Sequence, residues 1–212
     1  FWEQRVAGSN PVSPTILVIN GSKLNFFFRR NKMKIIFLLI FCLTFVKQAI
    51  ANEYFEALEL FNKRKIIESV ELFKKVANDE KNIKRSDAMF NLAVIYDNGF
   101  GIQVDKTRAL YFYEQASELS NIYAQYNLGW KYFNGESVNK NVIRAFELYK
   151  AASDFGHPQA MYNLANMYYS GTGTVKNLKL AYKMFLNARI SGIGESNFYI
   201  QKILHKDLFY YK

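Results

Sequence analysis

Three segments of this sequence align without a gap at a spacing of 36 residues, beginning at Ala88, Ala124 and Ala160. A fixed period of that length belongs to stacked supersecondary units, each too small to bury its own apolar face alone. The matching columns give the unit its form. Leu92, Leu128 and Leu164 precede Tyr96, Tyr132 and Tyr168 by four residues, one apolar stripe on a first helix. Small residues recur at Ala93, Gly129 and Ala165, where a neighbouring helix can approach closely. Gly99, Gly135 and Gly171 suit a left-handed helix end. Asp105, Asn141 and Asn177 suit the N-cap of a second helix, whose apolar face is marked by Ala109, Ala145, Ala181, then Tyr113, Tyr149, Phe185, then Ala116, Ala152, Ala188. His157-Pro158 opens the third unit, with proline where its missing N–H costs nothing.

This column pattern resembles the Sel-one-like repeat, a relative of the tetratricopeptide repeat. The likeness runs from about Ala88 to Glu195, with two departures: Ser137 stands where Gly101 and Gly173 supply a loop glycine, and Ser120 stands where Gly156 and Gly192 end a unit. The resemblance implies an all-α, right-handed α-solenoid of antiparallel helix pairs, used in that family as an adaptor for other proteins. The expected units are 88–123, 124–159 and 160–195. Residues 52–87 read as a degenerate N-terminal helix pair with a shorter loop, and 196–212 as a C-terminal capping helix, since end units must cover an open stack.

The first 51 residues read differently. From Met33, a positive Lys34, an apolar run over Ile35–Val46 and the small-x-small triplet Ala49-Ile50-Ala51 have the form of a secretory signal peptide cleaved near Ala51. The run is too short for a bilayer core, which needs roughly 20 residues, although an uncleaved anchor through 35–46 is the alternative. Residues 1–32 show no period. Gly8-Ser9-Asn10-Pro11 is what a common T-arm sequence of transfer RNA genes would encode, so this stretch is expected to be spurious upstream translation. The only cysteine is Cys42, within the apolar run. An exported chain beginning at Asn52 would hold no thiol for a disulfide, a metal or catalysis.

The formal charge of +10 does not argue for nucleic acid. Seven of 28 basic and one of 18 acidic residues lie before residue 52, leaving 21 positive against 17 negative charges. No catalytic, metal or cofactor motif is present. His157 reads as part of a helix start and His205 as a surface residue of the end helix. Most of the aromatic residues fall at core columns. The sharper feature is a ladder: Asn91, Asn127 and Asn163 share one column of the first helices, which line the groove in a tetratricopeptide-like solenoid. An amide both donates and accepts, as a peptide main chain requires, although asparagines in that column equally suit bridging between helices. Trp130, Lys131 and Asn166 complete the groove candidates, with an aromatic anchor and a positive charge. Asn98, Asn134 and Ser170 precede the loop glycines and read as helix-end residues. The reading is an exported, non-enzymatic adaptor that takes a partner protein or peptide in its groove, touching membrane only through the signal segment if uncleaved. The alternative is a cell-wall or carbohydrate-associated accessory that regulates an envelope enzyme.

Overall fold

The computed structural model describes residues 53–210, with backbone alone for 206–210. The expected upstream stretch 1–32 and signal segment 33–51 lie outside the described residues. Among the described residues the chain is entirely helical, an all-α repeat solenoid. Residues 53–62 form α1. It is followed by α2 (Ile66–Asn78), α3 (Arg85–Asn98), α4 (Lys106–Glu118), α5 (Ile122–Asn134), α6 (Val142–Asp154), α7 (Pro158–Ser170), α8 (Leu178–Ile190) and α9 (Ser196–Tyr210). From α2 to α9 each helix packs on the next in sequence. Residues 53–62 join the stack at α2, where the Ser69 hydroxyl donates to the Ala57 carbonyl at 2.7 Å.

The ends of the helices follow from side-chain chemistry. Asp105, Asn141 and Asn177 each accept from the N–H three residues on, at 2.8, 3.0 and 2.9 Å, which satisfies a donor left open at the start of α4, α6 and α8. Asn121 does the same for α5 and His157 for α7. Gly99, Gly135 and Gly171 close α3, α5 and α7 in the left-handed region. The two serines that depart from the glycine pattern adopt it too: Ser120 and Ser137 lie at φ 61° and 62°. The backbone geometry of the repeat is therefore kept where the residue best suited to it is absent.

Three adjoining apolar clusters run along the stack. The small-residue columns are sealed, with Ala88, Ala93, Ala116, Ala124, Ala152 and Ala160 fully buried. At Gly129 a Cβ would come within 3.0 Å of the Tyr149 ring, so this helix contact sits at the limit of what a side chain allows. At the C-terminal end Ile200 and Ile203 of α9 pack with Ala165, Ala181 and Phe185. Among the described residues no helix is long and apolar enough to cross a membrane.

Candidate functional site

The odd-numbered helices, first of each pair, carry the candidate residues, and the repeat places these residues on equivalent positions. Among the described residues, clefts open at two equivalent places on this face. One, of about 810 Å³, lies between α1 and α3. The other, of about 310 Å³, lies between α5 and α7. They are built from the same columns. Leu58, Phe61 and Asn62 of α1 stand where Trp130, Phe133 and Asn134 stand on α5. Asn91, Val94 and Ile95 of α3 stand where Asn163, Asn166 and Met167 stand on α7. Phe73 answers to Tyr149, and Phe100 to Thr172.

At the intervening position, between α3 and α5, those columns hold Asp97, Lys131 and Glu136, and the side chains bond to one another. Lys131 Nζ lies 2.9 Å from Asp97 Oδ2 and 3.0 Å from Glu136 Oε1. Lys106 reaches Asp97 at 2.8 Å, and the Tyr113 hydroxyl lies 3.4 Å from Asp97 Oδ2. Burial would push the Asp97 carboxyl up, but the hydrogen bonds and charges of Lys106 and Lys131 hold it below the usual carboxylate range. Lys131 occupies the column of Ile95 and Met167 and is only 3% exposed. Its charge, expected in the groove, is turned inward and neutralised.

The asparagine ladder bridges helices. Asn91 Nδ2 donates to the Tyr54 hydroxyl at 3.1 Å and Asn127 Nδ2 to the Tyr113 hydroxyl at 3.5 Å. Burial and neighbouring Tyr126 push the Tyr149 phenol up, and the Asn163 side chain facing it offsets part of that push. Burial and the Asp97 charge likewise raise Tyr113. In the first pair the tyrosine column holds Phe73, which has no hydroxyl, and Tyr54 of α1 supplies one beside it. Asn91 and Asn127 therefore direct their N–H groups at a tyrosine hydroxyl, and Asn91 and Asn163 line the clefts. Asn166 donates to the Tyr162 carbonyl and Asn134 to the Trp130 carbonyl, both within their own helix, so their amide oxygens are the groups without a partner among the described residues. Asn98 and Ser170 also bond their own last turn.

Of the six residues singled out from the sequence, Trp130, Asn163 and Asn166 meet in the α5–α7 cleft, Asn91 lines the α1–α3 cleft, and Asn127 and Lys131 belong to the closed position between them. Trp130 is 42% exposed and supplies the aromatic wall. The α5–α7 cleft contains no charged residue. Phe133, Met167 and Thr172, and the counter-charges Asp97 and Glu136, were not among the sequence candidates. Reading the three units as one register exposes them, because each substitutes for a different residue type in an equivalent unit. No group of residues suited to holding a metal ion occurs among the described residues.

A stack of helix pairs with an array of clefts along one face defines a helical repeat scaffold. The Sel1 repeat family matches at residues 86–121, 122–157 and 158–189, and across those three units the chain belongs to that family. Sel1 repeats are generally protein-interaction scaffolds and typically non-catalytic. The fold is similar to that of a Sel1 repeat protein from Oxalobacter formigenes, with 25% identity and a TM-score of 0.62 over 69% of this chain and 58% of that one. It is also similar to a protective antigen present in uropathogenic Escherichia coli strains, which displays an SLR fold: 25% identity and a TM-score of 0.65 over 73% of this chain and 33% of that one. The chain thus matches less than two thirds of the length of either. No curated protein shows significant similarity to it.

Proposed function

We propose that this protein is an exported adaptor that binds a segment of a partner protein on the face of α1, α3, α5 and α7, with the Trp130 cleft as its principal contact. The observation that carries this reading is the lining of that cleft: a half-exposed indole beside Phe133 and Met167, ringed by Asn134, Asn163, Asn166, Ser170 and Thr172, with no charge. Aromatic side chains at protein interfaces supply much of the binding energy when a partner excludes water around them. The free amide oxygens of Asn134 and Asn166 are acceptors suited to the N–H groups of an extended main chain. Export rests on the pattern over residues 33–51. The test is a crosslinking pull-down from the exported fraction with a photoreactive residue at Ser170, on the cleft rim, and at Lys179 as a remote control. A partner captured from Ser170 alone supports the reading, and equal capture from both sites contradicts it.

The same uncharged lining favours one second reading, a cell-wall or carbohydrate-associated accessory, because an indole and amides also suit the faces and hydroxyls of a sugar. Sedimentation of the protein with purified peptidoglycan, lost in Trp130→Ala, would select it.

A further inference from the structure

The α1–α3 cleft repeats the architecture of the Trp130 cleft with different chemistry. Leu58, Phe61, Phe73 and Phe100 make it apolar, and Phe61 and Phe100 meet edge to face at 5.9 Å. The link between α1 and α2 is four residues shorter than that between α3 and α4, and Phe100 on the cleft is exposed. Arg64, in that short link, lines the cleft and has no ion pair among the described residues. Nearby Lys63 and Lys65 are paired with Glu59 and Glu68. The equivalent position between the two clefts is closed by the Lys131, Asp97 and Glu136 bonds, which leave no unmatched charge there.

We propose that the two clefts are the ends of one bipartite site, read by a single extended partner segment. The segment packs a large apolar side chain against the paired rings of Phe61 and Phe100 with a carboxylate against Arg64, crosses the neutralised Lys131 cluster, and places an uncharged residue against Trp130. This rests on the proposed peptide-binding role and adds the chemistry and polarity of the partner. Neighbouring helices lie roughly 8–10 Å apart, so clefts two units apart are about 20 Å apart. An extended chain covers that in about six residues.

The test is selection of random twelve-residue peptides displayed on phage against the full chain, followed by dissociation constants for the selected synthetic peptides with the wild type and with Arg64→Glu, Phe100→Ser and Trp130→Ala. Melting curves of each variant control for folding. The expected peptides carry an acidic residue beside Leu, Phe or Met at one end and an uncharged stretch about six residues away. Arg64→Glu should weaken the same peptide about tenfold or more, and Trp130→Ala about thirtyfold or more. Exchanging the peptide's acidic residue for Lys should restore binding to Arg64→Glu, an outcome that a misfolded variant could not give. Peptides that depend on Trp130 but are indifferent to Arg64 and Phe100 overturn the bipartite site and leave the Trp130 cleft standing. Peptides indifferent to all three, or no enriched peptide, overturn the proposed binding role as well.

Discussion

Lys131 Nζ lies 2.9 Å from Asp97 Oδ2, joining α5 to α3 through a column that holds Ile95 one unit earlier and Met167 one unit later. An ammonium so placed is stable only because carboxylates meet it. Truncating one partner of a buried pair costs about 3–5 kcal/mol. Lys131→Ala is therefore expected to lower stability by about 3 kcal/mol, since Asp97 keeps Lys106. The triple change Asp97→Phe, Lys131→Met, Glu136→Thr imports the residues of the α5–α7 cleft and should recover most of that loss in urea unfolding. If Lys131→Ala unfolds like the wild type, the cluster does not hold α3 to α5.

The ladder asparagines should affect folding as well as binding. Asn127→Ala removes the amide donor to the buried Tyr113 hydroxyl, which keeps its bond to Asp97, and a net loss of about 1 kcal/mol is expected. Asn163→Ala should cost a similar amount and also weaken partner binding, because Asn163 alone of the two lines an open cleft. Equal binding losses for the two variants would contradict this division. Comparing chemical unfolding with affinity measures it.

Leu128, 2% exposed in the central repeat, tests the core. Leu128→Ala should cost about 2–5 kcal/mol. A melting temperature close to that of the wild type would mean that the packing of α5 against α4 and α6 does not depend on it.

His157 predicts a pH dependence. Its Nδ1 accepts from the Ala160 N–H at 3.3 Å and its ring stacks on Tyr126 at 4.4 Å, so the neutral imidazole caps α7. Burial lowers its pKa from the ordinary 6.5, because the folded state disfavours the charged ring. With the folded value depressed, this stability is fully present above about pH 6.5 and is lost as the pH falls from there through the folded value. Melting temperature measured between pH 7.5 and 5 should fall more steeply for the wild type than for His157→Asn, which installs the residue that caps α5 as Asn121. Parallel curves would contradict the role of His157.

The repeat, its caps and its core were legible in the sequence because they rest on local chemistry repeated every 36 residues. Asp105, Asn141 and Asn177 cap helices in the way their side chains dictate, and Leu92, Leu128 and Leu164 are buried as their spacing requires. The candidate face was legible only as columns. Trp130 and Asn163 could be chosen from spacing, but the inward turn of Lys131 depends on Asp97, 34 residues away on another helix. The α1–α3 cleft was hidden for a related reason: the loop between α1 and α2 is four residues short, which breaks the alignment between the first pair and the others. Periodicity specifies which residues share a face. It does not specify which of them neutralise each other across it.

The central claim is that the Trp130 cleft is where a partner segment binds, and the affinity of one selected segment for the wild type and for Trp130→Ala tests it most directly. Trp130 is 42% exposed, so its loss should shift stability by no more than about 0.5 kcal/mol. As an interface anchor, its loss should weaken binding about thirtyfold or more, the equivalent of about 2 kcal/mol. Unchanged affinity in a variant that melts like the wild type would contradict the account.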